Sequence, residues 1–190
     1  MTDPLIFLLA VLTILGAPGP TNILLATGGA IAGVSRSLPL IGAALLGYLI
    51  TILLVRGVLS PVIATWPLAG TVLKVVVATY VAWLAFRLWS RPAMVTGSRA
   101  VDFRMVLIAT LLNPKAIIFA LTVIPLSHPA LWLYFAAFAV AVVVVGLGWL
   151  LLGAAVGAAA RGKHQTLIQR VAAVALGAFA GMILATAFGS

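Results

Sequence analysis

Asn113-Pro114-Lys115 stands inside an apolar run, residues 105–126, that is long enough to cross a bilayer. Proline removes a backbone donor and biases the preceding residue away from helical angles. A lysine at the centre of a span costs roughly 2.5–3.5 kcal/mol. Asparagine before proline, however, starts a helix well: its side chain caps free N–H groups and proline suits the first helical position. The pattern predicts a span broken at 112–114, with a new half-helix beginning at Pro114 and Lys115 in its first turn. A matching break lies at Gly16-Ala17-Pro18-Gly19-Pro20-Thr21-Asn22, between apolar stretches 5–15 and 23–32. Here Thr21 or Asn22 is expected to cap the second half. Two proline-interrupted spans in corresponding halves of a membrane protein mark a transporter's binding site. Each half-helix start carries partial positive charge and Lys115 adds a full one, which suits a carboxylate or another anion. Pro18, Gly19, Pro20, Thr21, Asn22, Asn113, Pro114 and Lys115 are therefore assigned to substrate binding, with Tyr48, Thr51 and Tyr80 as further pocket groups. The competing reading is a pair of proline kinks with no ligand, Lys115 being structural.

The elements that must position these residues are membrane helices. Of 190 residues, 65% are hydrophobic and 7% charged, with mean hydropathy +1.32, which places the chain among integral membrane proteins. Six spans are expected, at roughly 5–32, 38–55, 68–89, 105–126, 130–152 and 171–188, in one transmembrane domain covering 1–190. The first is too long to cross straight, which again favours a break or a strong tilt. Gly29/Gly33, Gly153/Gly157 and Gly177/Gly181 have the spacing that lets helices approach closely. Packing within the chain is the expected use, and a homodimer seam would use the same spacing.

The basic residues set orientation. Arg36 lies in the first connection, Arg87, Arg91, Arg99 and Arg104 around the third, and Arg161, Lys163 and Arg170 around the fifth; Arg56 alone marks the second. The positive-inside rule then puts connections one, three and five in the cytoplasm and both termini outside. Trp66, Trp89, Trp132 and Trp149 fall near span ends, as interfacial anchors do. With three spans per half, span one enters the cytoplasm and span four leaves it. The expected fold is all-α: two inverted three-helix repeats, about 1–90 and 100–190, with spans one and four broken.

Several classes are set aside. The formal charge of +9 sits in short connections and does not indicate nucleic acid. The chain has no cysteine, so thiol chemistry and thiolate metal sites are excluded. His128 and His164 lie in loops without acidic partners, and no metal or other cofactor is expected. The spans hold no paired carboxylates or Ser/His set, so the chain is not read as an enzyme. The N-terminus carries Asp3 and lacks a basic leader, so it is read as mature sequence. Lys74 is expected to snorkel to the interface.

These residues bring a family into view. The chain resembles the bacterial amino-acid exporters of the lysine exporter and threonine/homoserine exporter superfamily. Pro18-Gly19-Pro20-Thr21-Asn22 is similar to that family's first-span motif. Asn113-Pro114-Lys115-Ala116, with Phe119 and Pro125, is similar to its fourth-span motif. Lys74, Tyr80, Leu84 and Arg87 fit its third-span pattern, with Ala85 where a glycine is usual, and Gly33 and Gly42 fit the region after the first motif. The resemblance covers about residues 15–130. It implies an exporter of small amino acids or related carboxylates in the bacterial inner membrane. The superfamily's lipid-associated branches imply an alternative, a protein that translocates or addresses a lipid or glycolipid. Members often carry Asp or His in the second span, where this chain offers Tyr48 and Thr51. Its only acids, Asp3 and Asp102, are not central in any span, so neutral substrates are preferred over cationic ones. Lys115 is then the strong candidate for proton coupling.

The charge asymmetry yields a first prediction. Reporter fusions at each end of the chain should both report the external face; a cytoplasmic C-terminus would overturn the orientation and the inverted repeat with it.

Overall fold

Runs of Leu, Ala, Val and Ile with few polar interruptions leave the backbone one way to satisfy its own N–H and C=O groups without water, the helix. The computed structural model describes residues 3–55, 57, 67–90, 101–125, 128–160 and 165–188, and every regular element among them is helical. In chain order they are α1 (Pro4–Gly16), α2 (Pro20–Ala32), α3 (Val34–Leu54), α4 (Pro67–Ser90), α5 (Phe103–Leu111), α6 (Pro114–Ile118), α7 (Leu131–Ala159) and α8 (Gln165–Phe188). A π-helical turn, Phe119–Val123, continues α6.

Helices α3, α4, α7 and α8 are each long and apolar enough to cross a membrane. The pair α1–α2, bent by 62° at its break, makes a fifth span when counted as one. The sequence led to six. The difference lies at 103–123, where α5 has 9 residues and α6 with its π turn has 5 and 5. Neither piece alone approaches the ~20 residues a straight crossing needs. Helix α7 runs past its expected end at 152 to Ala159, 29 residues in all. Arg56, Trp66, Arg91, Arg99, Arg161, Lys163 and His164 lie outside the described residues.

Helix α4 packs along α8, α2 along α7, and α3 along α5, while α1 also lies on α7. One apolar core joins α2, α3, α4, α5, α7 and α8 around Leu24, Leu84, Met105, Leu150 and Leu176. A second joins α1, α3, α6 and α7 around Phe7, Ile52, Phe119 and Phe138. Large apolar side chains such as Leu5, Phe86, Trp132, Val140 and Val171 remain exposed on the outside, as in a bundle solvated by lipid. Lys74 is exposed on α4.

Glycine sets the closest approach. A Cβ at Gly153 would collide with the Ala26 backbone, at Gly157 with that of Ala30, and at Gly29 with that of Leu150. The expected Gly153/Gly157 pair thus packs within the chain. Gly33 does something else: its φ of +78° turns the chain between α2 and α3, a left-handed value that favours glycine. Gly181 meets nothing within 4 Å and Gly177 only the Ala85 methyl at 4.0 Å.

The Gly157–Ala30 approach puts the ends of α2 and α7 together. Arg170 lies over the Trp89 ring at 5.2 Å, and Arg87 pairs with Asp102 at 3.4 Å. These contacts gather the ends of α4 and the starts of α5 and α8.

Gly153→Ala should lower the unfolding midpoint of the purified protein in detergent, by an amount equivalent to about 1–3 kcal/mol, because a backbone cannot step aside. Gly148→Ala, at a position with nothing within 4 Å, should leave that midpoint unchanged.

Candidate functional site

The two breaks meet. Helix α1 ends at Gly16 and α2 begins at Pro20; α5 ends at Leu111 and α6 begins at Pro114. Asn113 caps α6 as its type and place suggest: its φ and ψ are −80° and 122°, and its side chain accepts from the Lys115 N–H at 3.0 Å. The first break departs from expectation. Gly19, with no side chain to offer, is the capping residue of α2, and neither Thr21 nor Asn22 caps it.

Asn22 turns back to α1 instead. Its amide donates to the Leu15 carbonyl at 2.6 Å and to the Ala17 carbonyl at 2.8 Å. An asparagine side chain has both donors and an acceptor, and at this break the unmatched groups nearest to it are carbonyls. Thr21 joins the halves. Asn113 Nδ2 donates to Thr21 Oγ1 at 2.9 Å, the Thr21 and Thr110 hydroxyls meet at 3.0 Å, and Thr110 Oγ1 donates to the Val106 carbonyl at 2.7 Å. Because Thr110 spends its proton on Val106, Thr21 is the donor to Thr110, and a directional chain runs from Asn113 through Thr21 of the first half and back into α5.

Lys115 is 8% exposed. Its ammonium donates to the Ala17 carbonyl, and its stem passes over Gly19, where a Cβ would stand 3.1 Å from Cε and 3.3 Å from Nζ. Gly19 has φ 177°, which any residue adopts, so the lysine's approach explains this glycine. Pro18 and Pro20 flank it, and Pro114 opens α6. Asp3 and Asp102, the chain's only acids, cap the outer ends of α1 and α5. At about 1.5 Å per residue, those ends are roughly a dozen ångströms or more from the breaks. Among the described residues the buried ammonium therefore has the Ala17 carbonyl beside it and no carboxylate.

Thr51 and Tyr48 of α3 border this junction. Thr51 Oγ1 donates to the Leu111 carbonyl at 3.1 Å, matching an acceptor freed where α5 stops. Tyr48 sits edge-on to Phe119 at 5.9 Å and to Phe138 at 5.8 Å. Its hydroxyl lies toward Thr21 but makes no hydrogen bond of normal geometry, and it is buried. Tyr80 is not with them: it stacks on Trp83 and its hydroxyl reaches the Met105 carbonyl at 3.5 Å, near the start of α5.

Thr110 was missed by sequence reasoning, although a threonine three residues before Asn113 in an apolar run is a readable signal. Phe138 and the Leu15, Ala17 and Leu111 carbonyls had none. Among the described residues no three His, Asp or Glu side chains cluster as a metal site would require. His128 accepts from the Ala130 N–H at 3.1 Å and lines a cavity of about 480 Å³ with Phe7, Leu133 and Tyr134.

Fold and junction together define a helical bundle of membrane type, built around two interrupted helices that share a buried lysine. Comparison with family models, curated proteins and solved structures finds no match.

Asn22→Leu should destabilise the protein by about 1–3 kcal/mol, because it leaves the buried Leu15 carbonyl without its side-chain donor and the Ala17 carbonyl to Lys115 alone. Thr13→Val, which removes only a local bond to the Leu9 carbonyl on an exposed face, should cost far less. Thermal unfolding of both variants checks this.

Proposed function

We propose that the chain is an exporter of small neutral amino acids or related carboxylates, with the substrate's carboxylate held at Lys115. The observation that carries this reading is a buried ammonium, poised where two helix breaks meet, with no carboxylate to neutralise it. Intramembrane charges of this kind mark substrate and ion pathways. The α6 start has its first donors taken by Asn113 itself, whereas α2 begins without a side-chain cap. The anion site therefore rests on Lys115 with the first turn of α2, rather than equally on both half-helices. An incoming carboxylate replaces the Ala17 carbonyl as partner of the ammonium and leaves the substrate's side chain to the small-residue surfaces around Gly19.

The resemblance to the lysine and threonine/homoserine exporters belongs to the same proposal, with its six spans, inverted repeats and inner-membrane location. Asp3 and Asp102 cap α1 and α5, each the first piece of an interrupted helix, which supports a repeat. So does the packing of α2 on α7 and of α3 on α5 and α6, since the partners exchange roles between halves. Rocking of one half against the other around the junction gives alternating access.

A second reading, lipid or glycolipid translocation, draws on an apolar groove of about 220 Å³ between α2, α7 and α8, lined by Ile23, Ala26, Trp149, Val156, Ile168 and Val171. Neutral amino-acid efflux from loaded proteoliposomes, beside scrambling of a fluorescent lipid in the same vesicles, separates the two.

Lys115→Met should abolish saturable amino-acid efflux while leaving membrane insertion intact, since the apolar stem is largely kept. Lys115→Arg should fail or lose pH dependence, because arginine holds its proton at any working pH. Wild-type efflux by the methionine variant, at several internal and external pH values, would sink the proposal.

A further inference from the structure

A second polar cavity, of about 280 Å³, lies away from the helix breaks at the end of the bundle where α4 stops and α5 starts. It is lined by Tyr80, Trp83, Arg87, Asp102 and Arg104, with Met105 and Ile108 as its apolar wall. Arg87 is fixed on two sides. Its guanidinium stands 5.5 Å from the centre of the Trp83 ring and 3.4 Å from Asp102 Oδ2. Asp102 is itself pinned, because its Oδ1 accepts from the Met105 N–H at 2.8 Å as the cap of α5. Among the described residues Asp102 pairs with Arg87, and Arg104 has no carboxylate partner. Two guanidinium groups thus face one carboxylate, a surplus of one positive charge.

We propose that this pocket binds the phosphate group of a phosphate ester that carries net negative charge. The donor chemistry is specific. A guanidinium is planar and presents paired N–H groups that match two phosphate oxygens, and it is weakly enough hydrated to do so at an interface. Arg104 supplies an uncommitted fork. Arg87 supplies a pre-positioned one, whose half-exposed pair with Asp102 at 3.4 Å is of a kind that contributes little. The stacked rings of Tyr80 and Trp83, 5.6 Å apart at 30°, give the ester's carbon side an amphipathic wall, as aromatic side chains do at headgroup level. The pocket shares no residue with the Lys115 junction and does not depend on the transport reading. A phosphodiester in an anionic lipid headgroup and a small soluble phosphate monoester both present anionic phosphoryl oxygens to the guanidinium forks, and the experiment distinguishes them.

The test uses the purified, delipidated full chain in neutral detergent. Its unfolding midpoint is followed while dioctanoyl phosphatidylglycerol, dioctanoyl phosphatidylcholine or glycerol 3-phosphate is titrated in. Saturable stabilisation by phosphatidylglycerol but not by the other two is expected if a lipid headgroup is the ligand; protection by glycerol 3-phosphate as well assigns a soluble ester. In either case Arg104→Gln should weaken the apparent affinity about fivefold or more, whereas the charge-matched Arg36→Gln, at an exposed position on α3, should not. Asp102→Asn keeps an effective cap yet releases Arg87, so it should tighten binding, while Asp3→Asn should leave it unchanged. The proposal is overturned if no phosphate compound stabilises the protein or if phosphatidylcholine does so as well as phosphatidylglycerol. Equal effects of the paired Arg variants, or of the paired Asp variants, would overturn it as well, because bulk charge would then explain the binding.

Discussion

A helix interrupted inside an apolar bundle frees backbone groups that water does not reach, and every one of them needs a partner from the protein. That constraint explains the junction better than any single residue does. Asn22 satisfies two carbonyls where α1 stops, Lys115 shares one of them, and Thr51 takes the Leu111 carbonyl where α5 stops. Asn113 works in both directions, accepting from its own helix and donating to Thr21 in the other half. Of the side chains that relieve the breaks, Asn113, Lys115 and Thr51 also tie the halves together. Closure of the bundle and tolerance of its prolines are one problem with one solution.

The distribution of charge follows from the same economy. Both carboxylates are used as helix caps at outer ends, and the arginines described here lie near helix termini rather than in the packed interior. Lys115 is the exception. It is buried with its ammonium on the Ala17 carbonyl, and Gly19 leaves room for its stem. The glycines of α7 act differently, bringing two backbones into contact so that α2, which carries Thr21 and Asn22, is held along its length.

Legibility from the amino-acid order followed the range of the forces involved. Proline acts on its neighbours in sequence, so Pro18, Pro20 and Pro114 located both interruptions, and Asn113-Pro114 located a cap. Long apolar stretches located the helices to within a few residues, except where α7 continues to Ala159 and α8 begins at Gln165, before its apolar run. The role of Asn22 was misread, since a local rule assigns it to the helix it begins, while its nearest unmatched acceptors belong to the helix before. Tyr80 and Tyr48 looked equivalent as polar groups in apolar runs; only the tertiary path of α4, along α8, sends one of them away from the junction. Six crossings were counted where length and apolarity support four to five, because hydropathy along 105–126 takes no account of how short each intact piece is.

The bond from Lys115 to the Ala17 carbonyl joins residues 98 positions apart, and that separation has a meaning in the order of synthesis. At about 5–20 residues per second the ribosome needs about 5–20 s to make the intervening chain. Throughout that interval the first interruption is already made, with Asn22 able to serve its carbonyls but Thr21 still waiting for its partners. When Lys115 follows, its charge gains a place inside the bundle only by docking on the earlier half. The partner of this ammonium is therefore made well before the lysine itself, and the bond ties completion of the second half to the presence of the first beside it.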